Sequence, residues 1–145
     1  MKRIVAAASA LLSAPLPAGP AGSAAPALTP PVEASYMLNC MGCHLPDGSG
    51  ARGKVPSVRG SLPRLAATTQ GRKYLVQVPG AAQSPLSNLE LAQVLTWMVR
   101  NLSARPPANV ADFTAAEVAR YRSVPLSDVR ATRRRLLAAA APAGH

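Results

Sequence analysis

The chain has 145 residues, with 16 Lys and Arg against 6 Asp and Glu and a formal net charge of +10. This length fits one domain with appendages, because domains commonly have about 100–150 residues. The basic balance favours an acidic partner or surface. We expect no nucleic-acid partner, because one Trp, one Phe and three Tyr offer few rings for base stacking and the start of the chain indicates export.

The first 24 residues have the pattern of a secretory signal peptide. It begins with the basic residues Lys2 and Arg3, continues with an apolar run at 4–16, and ends with small residues at 22–24. A transmembrane helix needs roughly 20 apolar residues, whereas this run is shorter and contains Pro15 and Pro17. An uncleaved amphipathic or membrane anchor is the alternative. The pattern predicts cleavage near Ala24 and export to the periplasm or a similar compartment, with a flexible lead-in at 25–31.

After the lead-in, the sequence predicts an all-α fold. The predicted helices are 32–39, 65–76, 88–102, 114–122 and 127–140. The density of glycine and proline predicts irregular loops at 46–63 and 78–87. The strongest helix is 88–102, because Ser87 and Glu90 have the spacing of a capping box.

These elements divide the chain into three parts beyond the lead-in. We predict a domain at 32–102, a linker at 103–112 and a basic helical tail at 113–145. A domain of about 70 residues has a small core for folding alone. We therefore expect its apolar residues to surround a cofactor, and the chain to be largely unfolded without that cofactor. The expected core is Val32, Tyr36, Leu38, Val55, Val58, Leu62, Leu65, Leu75, Leu91, Val94, Leu95 and Met98.

The only two cysteines, Cys40 and Cys43, are followed directly by His44. Thiols at this spacing can bind the two vinyl groups of a haem as thioethers, while the next histidine ligates the iron. A disulfide is also feasible in an oxidising compartment. A thiol redox motif would need a βαβ setting, which the sequence does not predict, and zinc would need four ligands, a number that two cysteines and two histidines barely reach. We predict one covalent haem c on Cys40 and Cys43, with His44 as axial ligand.

The sequence on both sides of this motif resembles class I, mitochondrial-type bacterial cytochromes c. The matching stretches are HLPDGSG at 44–50, VPSVRG at 55–60, and Leu86, Ser87, Glu90, Leu91, Val94, Trp97 and Met98 at the last helix of the domain. The resemblance covers about residues 32–102. It implies a small cytochrome c-like fold, with three to four helices wrapped around the haem.

The resemblance also implies roles for single residues. The backbone carbonyl of Pro56 is expected to accept the Nδ1 proton of His44 and so to orient the iron ligand. Tyr36 and Trp97 are expected to pack where the first and last helices cross. Met98 is expected to line the haem pocket without reaching the iron.

The second iron ligand of that family is a methionine followed by proline, and Val78-Pro79 stands at its place here. Valine cannot bind iron. The other side chains with suitable atoms are Met98, Gln83, Lys73, Tyr74 and His145. The sixth ligand therefore stays open: the haem either has an atypical ligand or is five-coordinate and binds a small molecule.

We expect an exported single-electron carrier, not an enzyme, that accepts electrons from a periplasmic oxidoreductase. The alternatives are a five-coordinate haem protein, such as a gas sensor or a peroxidase-like enzyme, and an electron-transfer subunit of a periplasmic dehydrogenase complex. The sequence makes no prediction of the oligomeric state.

Two groups of basic residues indicate how partners are bound. They are Arg52, Lys54, Arg59, Arg64, Arg72 and Lys73 in the first group, and Arg130, Arg133, Arg134 and Arg135 in the second. The first group is expected around the haem rim, where it would steer an acidic redox partner. The second could bind an acidic enzyme or an anionic membrane surface, or simply face solvent.

Overall fold

The computed structural model describes residues 30–105 and 107–140, and over these residues the protein is helical and contains no β-sheet. The all-α prediction is confirmed. The predicted signal at 1–24 and most of the lead-in lie outside the described residues. The helices of the described part are α1 (Val32–Asn39), α2 (Met41–His44), α3 (Leu62–Ala66), α4 (Thr69–Gln77), α5 (Pro79–Ala82), α6 (Asn88–Asn101), α7 (Ala115–Arg122) and α8 (Val129–Ala139).

None of the described helices is long and apolar enough to cross a membrane. The longest, α6, begins with the capping box that the sequence predicts. The Ser87 hydroxyl accepts from the Glu90 backbone N–H at 3.2 Å, and the Glu90 carboxylate accepts from the Ser87 N–H at 2.8 Å. Two of the orphan N–H groups at the start of the helix are satisfied in this way.

Two of the predicted elements differ from the structure. The helix expected at 65–76 is broken into α3 and α4, because Thr68 is extended and its hydroxyl caps α4 by accepting from the Gly71 N–H at 3.0 Å. The loop expected at 78–87 contains the short helix α5, which Pro79 can begin because its first position needs no N–H donor.

Gly71 allows α3 and α4 to approach each other closely. A Cβ atom at this position would lie 2.1 Å from the carbonyl oxygen of Leu65, a backbone atom that cannot move aside without shifting α3. The two helices therefore meet at a contact that only glycine permits.

We expect Gly71→Ala to lower the free energy of unfolding by about 2–3 kcal/mol, because a methyl group there overpacks the α3–α4 contact. Urea unfolding of the purified protein would measure the change. Gly60→Ala is the matched control, because no atom lies within 4 Å of a Cβ at Gly60 and Gly60 does not line the cavity. Equal stability of the two variants would contradict this account of Gly71.

The core is formed mainly by α1, α3, α4 and α6, with α1 lying across α6. At this crossing the rings of Tyr36 and Trp97 pack with centroids 5.1 Å apart and a tilt of 37°. Leu38 was expected in the core but is 78% exposed. It follows Tyr36 by two positions, about 200° around the helix, so burial of Tyr36 turns Leu38 toward solvent.

The C-terminal segment packs against this core. Helix α7 lies on α4 and α6, and Phe113 and Val118 are buried there. The Arg72 guanidinium on α4 makes a bidentate ion pair with Glu117 at 2.7 and 2.6 Å and lies 3.9 Å above the Phe113 ring. Both contacts tie the beginning of α7 to the domain.

Candidate functional site

The motif forms one turn of chain: Cys40 lies between α1 and α2, and Cys43 and His44 lie in α2. The Cys40 carbonyl accepts from the N–H groups of Cys43 and His44, at 3.1 and 3.0 Å. Leu45 ends the turn with a positive φ of 59°, and its carbonyl accepts from the Tyr36 hydroxyl at 2.5 Å. The buried tyrosine of α1 thus fixes the end of the motif.

Burial, with smaller contributions from Cys40 and Asp47, raises the pKa of Tyr36 to about 12. The phenol is therefore protonated at neutral pH and can donate to Leu45. Burial, with Cys43 nearby, also raises the pKa of Cys40 to about 11. Cys40 and Cys43 are both free thiols in the structure, so no disulfide joins them.

The motif opens onto a cavity of about 490 Å³. This volume lies in the range of about 300–1,000 Å³ that is typical of ligand and cofactor sites. Its walls come from the loop at 54–58, helices α3, α4, α6 and α8, and the segment at 78–81. Aliphatic side chains dominate them, including Val58, Leu62, Leu65, Leu75, Val78, Leu91, Val94 and Leu95.

His44 faces this cavity with one ring nitrogen unsatisfied. Its Nδ1 is buried and has no hydrogen-bond partner among the described residues. Burial lowers the pKa of His44, so the imidazole is neutral near pH 7. A neutral imidazole keeps a nitrogen lone pair, which is the form that ligates metals.

The hydrogen bond expected between His44 Nδ1 and the Pro56 carbonyl is not formed. The Pro56 oxygen lies instead against Gly50, where a Cβ atom would come within 2.9 Å of it, and Gly50 has a positive φ of 72°. The Gly50 N–H donates to the His44 carbonyl at 3.2 Å. Pro56 therefore lines the cavity beside His44 without accepting its proton.

The other predicted site residues divide into two groups. Met98 lines the cavity, whereas Tyr36 and Trp97 do not line it and pack against each other. Of the possible sixth ligands, Met98 and Tyr74 line the cavity, but Lys73 and Gln83 do not. His145 lies outside the described residues.

Val78 and Pro79, which stand where the resemblance led us to expect a methionine, line the cavity. Tyr74 lines it as well, and burial raises the pKa of this tyrosine while Arg133 opposes the shift. The phenol is thus a neutral polar group in an otherwise aliphatic wall.

No group of three or more His, Cys, Asp or Glu side chains that could hold a metal ion occurs within 30–105 and 107–140, so the zinc alternative gains no support.

Val129 and Arg133 reach the cavity from α8. The sequence assigned Arg133 to a basic group of the tail and placed neither residue at the cavity. Arg133 donates to the Ser57 carbonyl at 3.4 Å, and Arg64 on α3 donates to the Leu137 carbonyl at 2.5 Å. These contacts join positions 76 and 73 residues apart. No local pattern could have predicted them.

A basic groove, with a volume of about 520 Å³, adjoins the cavity and shares Arg133 and the 54–57 loop with it. The basic residues that line this groove are Arg52, Lys54, Arg130, Arg133 and Arg134. No acidic side chain is found among the groove's lining residues. The fold thus brings together members of both basic groups of the sequence.

The remaining basic residues expected at the haem rim are partly engaged elsewhere. Arg72 pairs with Glu117, and Arg64 binds carbonyls at the end of α8. Arg59 pairs with Asp47 at 3.0 Å, although both side chains are about half exposed. The positive surface next to the cavity is therefore the basic groove and not a continuous rim.

A scan of the sequence against protein-family models finds no match, and a search of curated proteins finds none either. Two free thiols, a neutral imidazole with an unsatisfied buried nitrogen and an apolar cavity of this size together fit a covalently bound haem.

Proposed function

We propose that this protein is an exported cytochrome c that carries single electrons on one covalently bound haem c. The observation that supports this most is that Cys40, Cys43 and His44 all open onto one apolar cavity. The two thiols would hold the haem as thioethers and His44 would ligate its iron. The bound haem supplies a one-electron couple.

The surrounding residues suit this role. The aliphatic walls would exclude water and keep the local dielectric constant low, which influences the reduction potential. Lys54 and Arg133 are the cations in the cavity lining, and they are the natural partners for the propionate carboxylates of a haem. Tyr36 would fix the turn that holds the ligating histidine.

A five-coordinate, ligand-binding haem protein is the second candidate. It is favoured by Val78 in the cavity wall, because valine cannot take the place of the expected methionine. In that case a small molecule such as carbon monoxide would reach the iron directly.

Absorption spectroscopy of the purified protein tests both candidates. We expect haem that stays attached after denaturation and a low-spin spectrum in both redox states. We also expect carbon monoxide to change the spectrum of the reduced protein only slowly. Rapid carbon monoxide binding would instead assign the five-coordinate function, and protein without attached haem would refute both.

We further propose that the basic groove binds the acidic surface of a redox partner, because its five cations adjoin the haem cavity. A partner docked there would be close to the haem, and opposite charge would speed the encounter. The same groove would serve if the protein is a subunit of a dehydrogenase complex.

We expect Arg130→Glu/Arg134→Glu to slow oxidation of the reduced protein by anionic ferricyanide about five- to tenfold at low salt, and less at high salt. Stopped-flow absorbance would measure the rate. Arg120→Glu/Arg135→Glu is the control, because it changes the net charge equally outside the groove. If both double variants slow the reaction equally, net charge and not the groove controls the encounter.

A further inference from the structure

Arg122, the last residue of α7, binds the chain that connects α5 to α6. Its Nε donates to the Ala82 carbonyl at 2.9 Å, and its Nη1 donates to the Leu86 carbonyl at 2.6 Å and to Asn88 Oδ1 at 3.3 Å. Its Nη2 donates to the carbonyl of Ser84 and, at 3.2 Å, to the hydroxyl of the same residue. All three guanidinium nitrogens are thus used on one short segment.

The same C-terminal turn holds the other end of this segment. The side chain of Gln77, which is buried at the end of α4, donates through Nε2 to the Val124 carbonyl at 2.8 Å. Residues 78–88 are therefore fastened at both ends by residues 122–124. Hydrogen bonds from a charged guanidinium are roughly twice as strong as neutral ones, so Arg122 is the stronger of the two attachments.

The inner side of the fastened segment is a wall of the cavity. Val78, Pro79, Gly80, Ala81 and Ser84 line it. This is also the place where the resembled family has its second iron ligand, which the present chain lacks. A wall without a bond to iron must be kept in position by other contacts, and Arg122 makes the largest set of them.

We propose that Arg122 is a positioning residue that holds residues 78–88 as a rigid wall of the cavity and thereby limits the access of small ligands to the haem iron. The inference rests on the proposed haem function. It makes the C-terminal segment part of the site, whereas the sequence predicted a tail separate from the domain.

The experiment compares Arg122→Gln and Arg122→Lys with the unchanged haem protein. Amide hydrogen exchange of residues 80–86 reports on the wall, and the rate of carbon monoxide binding to the reduced protein reports on access. We expect both rates to rise at least about tenfold in Arg122→Gln, which corresponds to a loss of about 1.4 kcal/mol of local stability. Arg122→Lys keeps the charge but loses the fork geometry, so we expect a smaller rise.

Arg72→Gln is the matched control, because Arg72 ties the other end of α7 to α4 and has no contact with the wall. It should destabilise the protein while leaving both rates near their original values at a temperature where each variant is folded. If Arg122→Gln does not fold, the comparison is made with Arg122→Lys.

Unchanged exchange at residues 80–86 would overturn the proposal, and so would faster exchange with unchanged carbon monoxide binding. Equal effects of Arg72→Gln and Arg122→Gln would overturn it as well, because a general loosening of α7 would then be the cause. Failure of the proposed function is a separate result: a folded protein without attached haem would show it, and hydrogen exchange would still measure what Arg122 does to the wall.

Discussion

Cys40→Ala/Cys43→Ala is expected to leave the chain largely unfolded. The cavity beside the motif measures about 490 Å³ and lies among the core side chains of α3, α4 and α6. At about 24 cal/mol per Å³, leaving such a cavity unfilled costs roughly 12 kcal/mol at most. This upper bound is as large as the whole stability of a typical domain, about 5–15 kcal/mol. Far-ultraviolet circular dichroism and a thermal melt would measure the loss.

The control for this double variant is the unaltered chain produced without haem attachment. It keeps both thiols, so it separates the loss of the haem from the loss of the cysteines. We expect it to be as unfolded as the variant. A cooperative, native-like melt of either apoprotein would contradict the idea that the haem completes the core.

Val118→Asp is expected to lower the free energy of unfolding of the haem protein by about 4 kcal/mol or more, because it buries an unpaired carboxylate. Val118 on α7 is fully buried, at 0% exposure, where α7 packs on the domain. Denaturant unfolding followed by circular dichroism would measure the change.

Val124→Asp makes the same chemical change at a position that is 46% exposed. We expect that variant to lose less than about 1 kcal/mol, as exposed substitutions commonly do. Similar losses for the two variants would mean that α7 does not belong to the folded core. A large loss at Val118 alone would show that the C-terminal segment is part of the structure that stabilises the cavity.

The elements that the sequence predicts well are those whose signals are local. The capping box at Ser87 and Glu90 and the first helix at 32–39 depend on contacts within three or four residues. The same holds for the spacing of Cys40, Cys43 and His44, which one turn of chain brings together. Such contacts form wherever the segment is placed in the fold.

Other expectations differ from the structure where packing between segments decides which groups meet. The helix expected at 65–76 is broken at Thr68, where Gly71 comes close to the Leu65 carbonyl. The Pro56 oxygen lies close to Gly50, and His44 Nδ1 has no partner among the described residues. Arg72 was expected at the haem rim, but Glu117, 45 residues later, pairs with it. A sequence pattern does not show these close contacts, because tertiary packing decides which backbone segments and side chains meet.

The sequence by itself determined the helical class and the spacing of Cys40, Cys43 and His44, and it predicted the haem chemistry that we propose for this motif. Local signals are enough for this because a helix cap or a cysteine motif depends only on residue type and short spacing. Only the tertiary structure decided that the last helices form part of the cavity, through Arg122 on its outer wall and Arg133 at its lining. The physical reason is that burial and long-range hydrogen bonds select which surfaces meet, and that choice depends on the whole chain at once.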